Sequence, residues 1–170
     1  MKNIILIGFM GSGKSAMGRF LSESLDYDFY DTDKEMEFAT GLKMEHILKK
    51  YGEIRFRSEE KLVLKRLAKV EKGVVATGGA FIENSENMAI LKENGIFIFL
   101  KTDENTIVER LSRRNTKPFT EKGSVSDLVA KHYGKWLPVY EEWADIVVHT
   151  TGLTMEETAE IILKELEKYR

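Results

Sequence analysis

The octapeptide GFMGSGKS, residues 8–15, directly follows the apolar run NIILI, and no other feature restricts what the chain can fold into as tightly. Four glycines fall between Gly8 and Gly18 around one lysine, so the chain gives up side chains where a buried strand would end. Glycine tolerates backbone conformations that other residues avoid and lets a ligand approach the main chain closely. Gly8, Gly13, Lys14 and Ser15 satisfy G-x-x-x-x-G-K-[ST], the phosphate-binding Walker A pattern. In such a loop the N–H groups of Gly11, Ser12, Gly13, Lys14 and Ser15 converge on an anion, at the positive end of a helix that starts near Gly13. Lys14 would reach the β- and γ-phosphates of a nucleotide, and the Ser15 hydroxyl would ligate Mg²⁺. Met17, Phe20, Leu21 and Leu25 then recur at helical spacing. That completes the strand, loop, helix order which this mechanism needs and a chance glycine-rich turn does not.

Five short runs read as buried strands: NIILIG from Asn3, DFYDTD from Asp28, GVVATG from Gly73, IFIFLK from Ile96 and DIVVHT from Asp145. Helical patterns separate them. Met44, Ile47, Leu48 and Tyr51 make one stripe, and Ile107, Val108 and Leu111 a shorter one. Met155, Ala159, Ile162, Leu163 and Leu166 make a last one, opened by a capping box from Thr154 to Glu157. Strand and helix in alternation predict an α/β fold of three layers, a parallel sheet covered by helices on both faces, with ligands held beyond the carboxyl ends of the strands. At 170 residues a single domain over 1–170 suffices, without repeat or linker. A net charge of −2 offers no basic field for a nucleic acid. No apolar run approaches the length of a membrane span, and MKNIILIGFMGSGKS lacks the cleavage region of a signal peptide, so a soluble cytoplasmic protein without a membrane partner is expected. The absence of cysteine excludes disulfides and thiolate metal sites.

Outside the loop the candidate residues carry two readings each. Asp31 and Asp33 end the second strand as DTD, and strand alternation would aim both carboxylates to one side. One then holds the waters of Mg²⁺ while the other accepts the proton of an attacking hydroxyl, unless Asp33 merely caps the helix that follows it. Arg57 and Glu60 share a helical face, as a surface ion pair or as a carboxylate clamp with its brace. Gly78 and Gly79 in ATGGAF form either a tight turn or a place where ligand meets backbone. The run RLSRRNTKPFTEK, Arg110 to Lys122, reads as a solvated face or as a lid, about residues 112–124, that brings positive charge over a transferring phosphoryl group.

Taken together these stretches resemble the shikimate kinase family over nearly the whole chain. GFMGSGKSAMGRFLSESL is similar to the family's opening, FYDTD to its D-x-D, GEIRFRSEE to its G-E-x-x-F-R-x-x-E, VVATGG to its glycine-ended strand and LPVYEEWAD to its P-L-Y-E-E-x-A-D. The resemblance implies a monomeric P-loop kinase with strand order 2-3-1-4-5 that uses ATP and Mg²⁺ to phosphorylate the 3-hydroxyl of shikimate in aromatic amino-acid biosynthesis. It further implies that Gly11, Ser12, Gly13, Lys14, Ser15 and Ala16 bind ATP, with Arg110 on the adenine and Lys117 as the lid cation. Ser15 and Asp31 would serve the metal. Asp33 would bind and deprotonate the acceptor, Arg57 would grip its carboxylate braced by Glu60, and Gly78 and Gly79 would offer backbone contacts.

Three positions depart from the family's pattern. Ala80 replaces a third glycine; Lys117 replaces the lid arginine, keeping the charge without the planar fork; and Trp136 replaces an arginine that gives the substrate carboxylate its second contact. Lys135, beside Trp136, or a lid cation is the candidate substitute. The departures concentrate in the acceptor half, which keeps open an enzyme acting on another small hydroxy acid or polyol. A guanine-nucleotide switch is disfavoured, because NTKP is not the N-K-x-D that reads guanine.

Overall fold

The computed structural model of the protein describes residues 2–114 and 123–170. Strands β1 (Asn3–Ile7), β2 (Asp28–Asp31), β3 (Gly73–Ala76), β4 (Gly95–Lys101) and β5 (Ile146–His149) form one sheet in the order β2-β3-β1-β4-β5. Every pairing is parallel, with Ile5 opposite Val75 on one side and Phe97 on the other. This is the expected topology; β1, β2, β3 and β5 end one or two residues before the expected runs do, and β4 ends with its run at Lys101.

Helices α1 (Lys14–Leu25), α2 (Thr32–Thr40), α3 (Met44–Leu67), α4 (Ser85–Lys92), α5 (Glu104–Arg113), α6 (Val125–Trp143) and α7 (Met155–Leu166) cover both faces. The strand period of two divides the core. Ile4, Leu6, Ile96 and Ile98 pack with Met17 and Leu21 of α1 and Ile162 of α7 on one face. Ile5, Ile7, Phe97 and Phe99 pack with Leu64 of α3, Met88 of α4, Ile107 of α5 and Trp136 of α6 on the other. Because β1 and β4 are buried on both faces they read as unbroken apolar runs rather than alternating ones.

Some local expectations need correction. The stripe opening α3 buries Ile47 but leaves Leu48 half exposed, and the helix breaks direction at Gly52, whose φ of 77° and ψ of 170° are not helical. Within α7, Ala159, Ile162 and Leu166 are buried while Met155 is exposed. The capping box is present: Glu157 N–H donates to Thr154 Oγ1 at 3.1 Å, and Thr154 N–H donates to Glu157 Oε2 at 2.8 Å. The LPVYEEWAD stretch is architectural in this fold. Tyr140 stacks on Phe99 at 5.0 Å between ring centres, and Asp145 accepts from Phe97 N–H at 2.8 Å, fastening the end of α6 to β4. Among the described residues no helix is long and apolar enough to cross a membrane.

Candidate active site

The carboxyl ends of β1, β2 and β3 bring the loop, the two aspartates and the glycine pair to one rim of the sheet, where parallel α/β sheets hold their ligands. The loop between β1 and α1 turns through left-handed glycines, with φ of 77° at Gly11 and 90° at Gly13. Gly13 offers α1 no side-chain cap, and the first turn of that helix carries no acidic residue. The amides of Lys14, Ser15 and Ala16 at that terminus have no acceptor within their own helix. An anion satisfies them best.

Lys14 is folded back into the loop, where its Nζ donates to the carbonyl oxygens of Gly8 at 2.6 Å and Phe9 at 2.9 Å. Burial lowers its pKa to about 8, against the pull of Asp33 and Asp31, which raise it. The ammonium is therefore desolvated and held in place before any phosphate arrives. Ser12 is also buried, and its hydroxyl has no hydrogen-bond partner among the described residues. Arg110 donates from Nη1 to Gly11 O at 3.0 Å, tying α5 to the rim of the loop.

Asp31 and Asp33 are not two positions of one strand. β2 ends at Asp31, and Asp33 lies in the first turn of α2, so the expected strand alternation does not set their directions. The helix cap is Asp31 rather than Asp33: Oδ1 of Asp31 accepts from the N–H groups of Asp33 at 3.0 Å and Lys34 at 3.2 Å. Its other oxygen, Oδ2, accepts from the Ser15 hydroxyl at 3.0 Å. Capping and ligand support thus fall to the two oxygens of one carboxylate. A hydroxyl beside a carboxylate, next to a phosphate cradle, is a hard-oxygen set that fits Mg²⁺.

Burial, then the nearby Asp31 charge, pushes the Asp33 carboxyl up from 3.8 to about 6, with Lys14 opposing both. Gly78 explains how a carboxylate is accommodated so deep. A Cβ on Gly78 would stand 2.2 Å from Asp33 Oδ1, and one on Gly79 would stand 2.2 Å from Met10 Cε. Neither glycine has a positive φ, so the requirement is space, not backbone conformation. Thr32 fixes the approach by accepting from Gly78 N–H at 2.8 Å through Oγ1. We expect Gly78→Ala to displace the Asp33 carboxylate and lower kcat by about 10²-fold while ATP affinity stays within about twofold, because an ångström of misplacement has that effect. Steady-state kinetics and calorimetric ATP titration check this.

Beyond the break at Gly52, α3 presents Arg57, whose Nη1 donates to Glu60 Oε1 at 3.0 Å. The Arg57 side chain remains 41% exposed and Glu60 15%, so the brace is inside and the guanidinium is open to a ligand. Glu60 also contributes to the field that raises Asp33. Ala80 is exposed at φ −87°, where its methyl group is accommodated.

Trp136 does not stand open to a ligand. It is buried in α6 with its ring 5.2 Å from Phe9 and 4.7 Å from His132, so the indole buttresses the phosphate loop from behind. His132 is buried in this stack. Lys135 is exposed on the same helix. Lys117 and Pro118, with most of the expected lid, lie outside the described residues. Sequence reasoning missed Thr32 and Met10, because their contacts with Gly78 and Gly79 cross the fold and no spacing encodes them.

Two titrations bound the chemistry this arrangement supports. With Asp33 as the expected base and Lys14 as the expected cation, kcat/KM is expected to rise as pH increases through about 6 and to fall as it passes about 8. A pH–rate profile measures both limbs, and the acidic one is expected to vanish in Asp33→Asn.

The comparisons with known proteins agree in direction. A family model described as shikimate kinase matches residues 10–167. The shikimate kinase of Thermodesulfovibrio yellowstonii is 40% identical over 168 residues, spanning 99% of this chain and 96% of that protein. A solved structure of shikimate kinase from Acinetobacter baumannii in complex with shikimate has a TM-score of 0.90 at 32% identity, covering 100% of this chain and 95% of that one. The crystal structure of shikimate kinase from Aquifex aeolicus has a TM-score of 0.83 at 35% identity, covering 98% and 97%.

Proposed function

Because the chain belongs to the shikimate kinase family, we propose that it transfers the γ-phosphoryl group of ATP to the 3-hydroxyl of shikimate, giving shikimate 3-phosphate and ADP. The single observation that carries this reading is the placing of Asp33, a half-buried carboxylate fitted against Gly78 and pushed up to about 6, beside the buried Lys14 at the mouth of a phosphate loop. A base of that strength near neutral pH suits proton removal from an alcohol in the transition state.

In this reading the amides of Gly11 to Ala16 bind the β- and γ-phosphates. Lys14 leaves the carbonyls of Gly8 and Phe9 for the transferring group, and Arg110 lies along the nucleotide. Ser15 and Asp31 would hold Mg²⁺, which neutralises phosphate charge and aligns the leaving group when bound. Arg57 grips the acceptor carboxylate with Glu60 fixing its plane, and a bidentate guanidinium suits that task. Gly78 and Gly79 line the acceptor side, Lys135 or Lys117 supplies the further cation, and Trp136 supports Phe9 from behind the loop. The protein works as a cytoplasmic monomer.

The regiochemistry gives the test. Phosphorus NMR of the product is expected to show coupling to the proton on C3 of the ring. A product phosphorylated at another hydroxyl, or none at all, would overturn the assignment.

A further inference from the structure

Asn87 sits in the first turn of α4, almost fully buried at 3% exposed, within hydrogen-bonding reach of the Arg57–Glu60 pair of α3. A buried amide is costly unless its hydrogen bonds are satisfied, and a leucine would pack there more cheaply. Its Nδ2 donates to Glu60 Oε1 at 2.7 Å, the same oxygen that accepts Arg57 Nη1 at 3.0 Å. One carboxylate oxygen is therefore held from two helices. A glutamate on α3 held only by the arginine would follow that half-exposed side chain as it moved. The amide on α4 instead anchors the carboxylate to the far wall, so Arg57 is oriented against a fixed point. An independent surface pair, Lys61 with Glu86, links the same two helices at the rim, so Asn87 is not needed merely to dock α4. Asn84, which caps α4 by accepting from Glu86 N–H at 3.0 Å, fixes the turn from which Asn87 reaches inward.

We infer that Asn87 is a positioning residue for acceptor binding: acting through Glu60 Oε1, it sets the plane in which Arg57 receives the carboxylate of the acceptor. The inference rests on the proposed acceptor site. It predicts an effect on acceptor affinity and none on nucleotide affinity, because nothing in the relay touches the phosphate loop.

The experiment is calorimetric titration of the purified full chain with shikimate and, separately, with Mg·ADP. Asn87→Leu is expected to weaken shikimate binding about tenfold, the loss of one hydrogen bond to a charged group, and to leave Mg·ADP within about twofold. Asn87→Ala serves in its place if the leucine variant does not fold. In a Glu60→Ala background the same substitution at Asn87 is expected to change shikimate affinity by less than about twofold, since the relay is already cut. Equal weakening of both ligands, unchanged shikimate affinity, or a full tenfold effect persisting in the Glu60→Ala background would each overturn the inference. If the unaltered protein does not bind shikimate, the proposed function itself fails, and that outcome is distinct from an unaffected variant.

Discussion

Asp33→Asn is expected to lower kcat by about 10²–10⁴-fold, the usual contribution of a positioned base, while leaving ATP affinity within about twofold. Asp33 lies in the first turn of α2, fitted against Gly78 where no side chain intervenes, and its carboxyl is pushed up to about 6 chiefly by desolvation. Asparagine keeps the shape and a hydrogen-bonding oxygen but cannot take a proton. The same substitution is expected to stabilise the protein. A carboxyl whose folded pKa lies above its unfolded 3.8 favours the folded state when protonated; that favour is complete below about 3.8 and is lost as pH rises through about 6. At pH 7 the ionised Asp33 is therefore a burden on folding, by linkage at most about 3 kcal/mol, and an uncharged amide removes it. A thermal melt at pH 7 beside a single-turnover assay reads both signs. Loss of activity with a lower Tm would mean that asparagine disrupts the site instead of silencing it.

Lys14→Ala is expected to lower kcat by more than about 10³-fold and to weaken ATP binding as well, since the ammonium serves both the bound phosphates and the charge that develops on transfer. Lys14 Nζ also holds two loop carbonyls, Gly8 O and Phe9 O. Removing it leaves both oxygens without that donor, so the loop itself is expected to lose order. Lys14→Gln separates the two effects, keeping an N–H donor for the loop carbonyls without the charge. Kinetics with Mg·ATP and calorimetry with Mg·ADP check the pair. A kcat within tenfold of normal in either variant would contradict the role given to this lysine.

How much of this was legible in the sequence depends on the kind of contact. The sheet was, because β1 and β4 are buried on both faces and appear as unbroken apolar runs ending at glycine or a turn. The phosphate loop was, because its function is carried by backbone amides whose positions follow from glycine spacing. The division of labour between Asp31 and Asp33 was not. Strand alternation supposes that the strand continues, whereas here a helix cap at Asp31 ends it and turns Asp33 into the first turn of α2. Gly78 and Gly79 read as a tight turn or a ligand contact, and neither reading showed that the pair also makes room for Asp33 and Met10, which lie 45 and 69 residues away in the chain. Trp136 marked a departure from the family's pattern without indicating its consequence, a ring packed behind Phe9. The Asn87–Glu60–Arg57 relay joins two helices across the sheet's face and leaves no periodic trace.

Acceptor-dependent ADP release reads out the proposed transfer of phosphate from ATP to shikimate at this site. Purified protein with Mg·ATP is expected to release ADP slowly alone and at least about a hundredfold faster with shikimate, with no comparable response to a panel of other small hydroxy acids and sugars. Strong stimulation by another acceptor alone, or a rate indifferent to shikimate, would contradict shikimate as the acceptor.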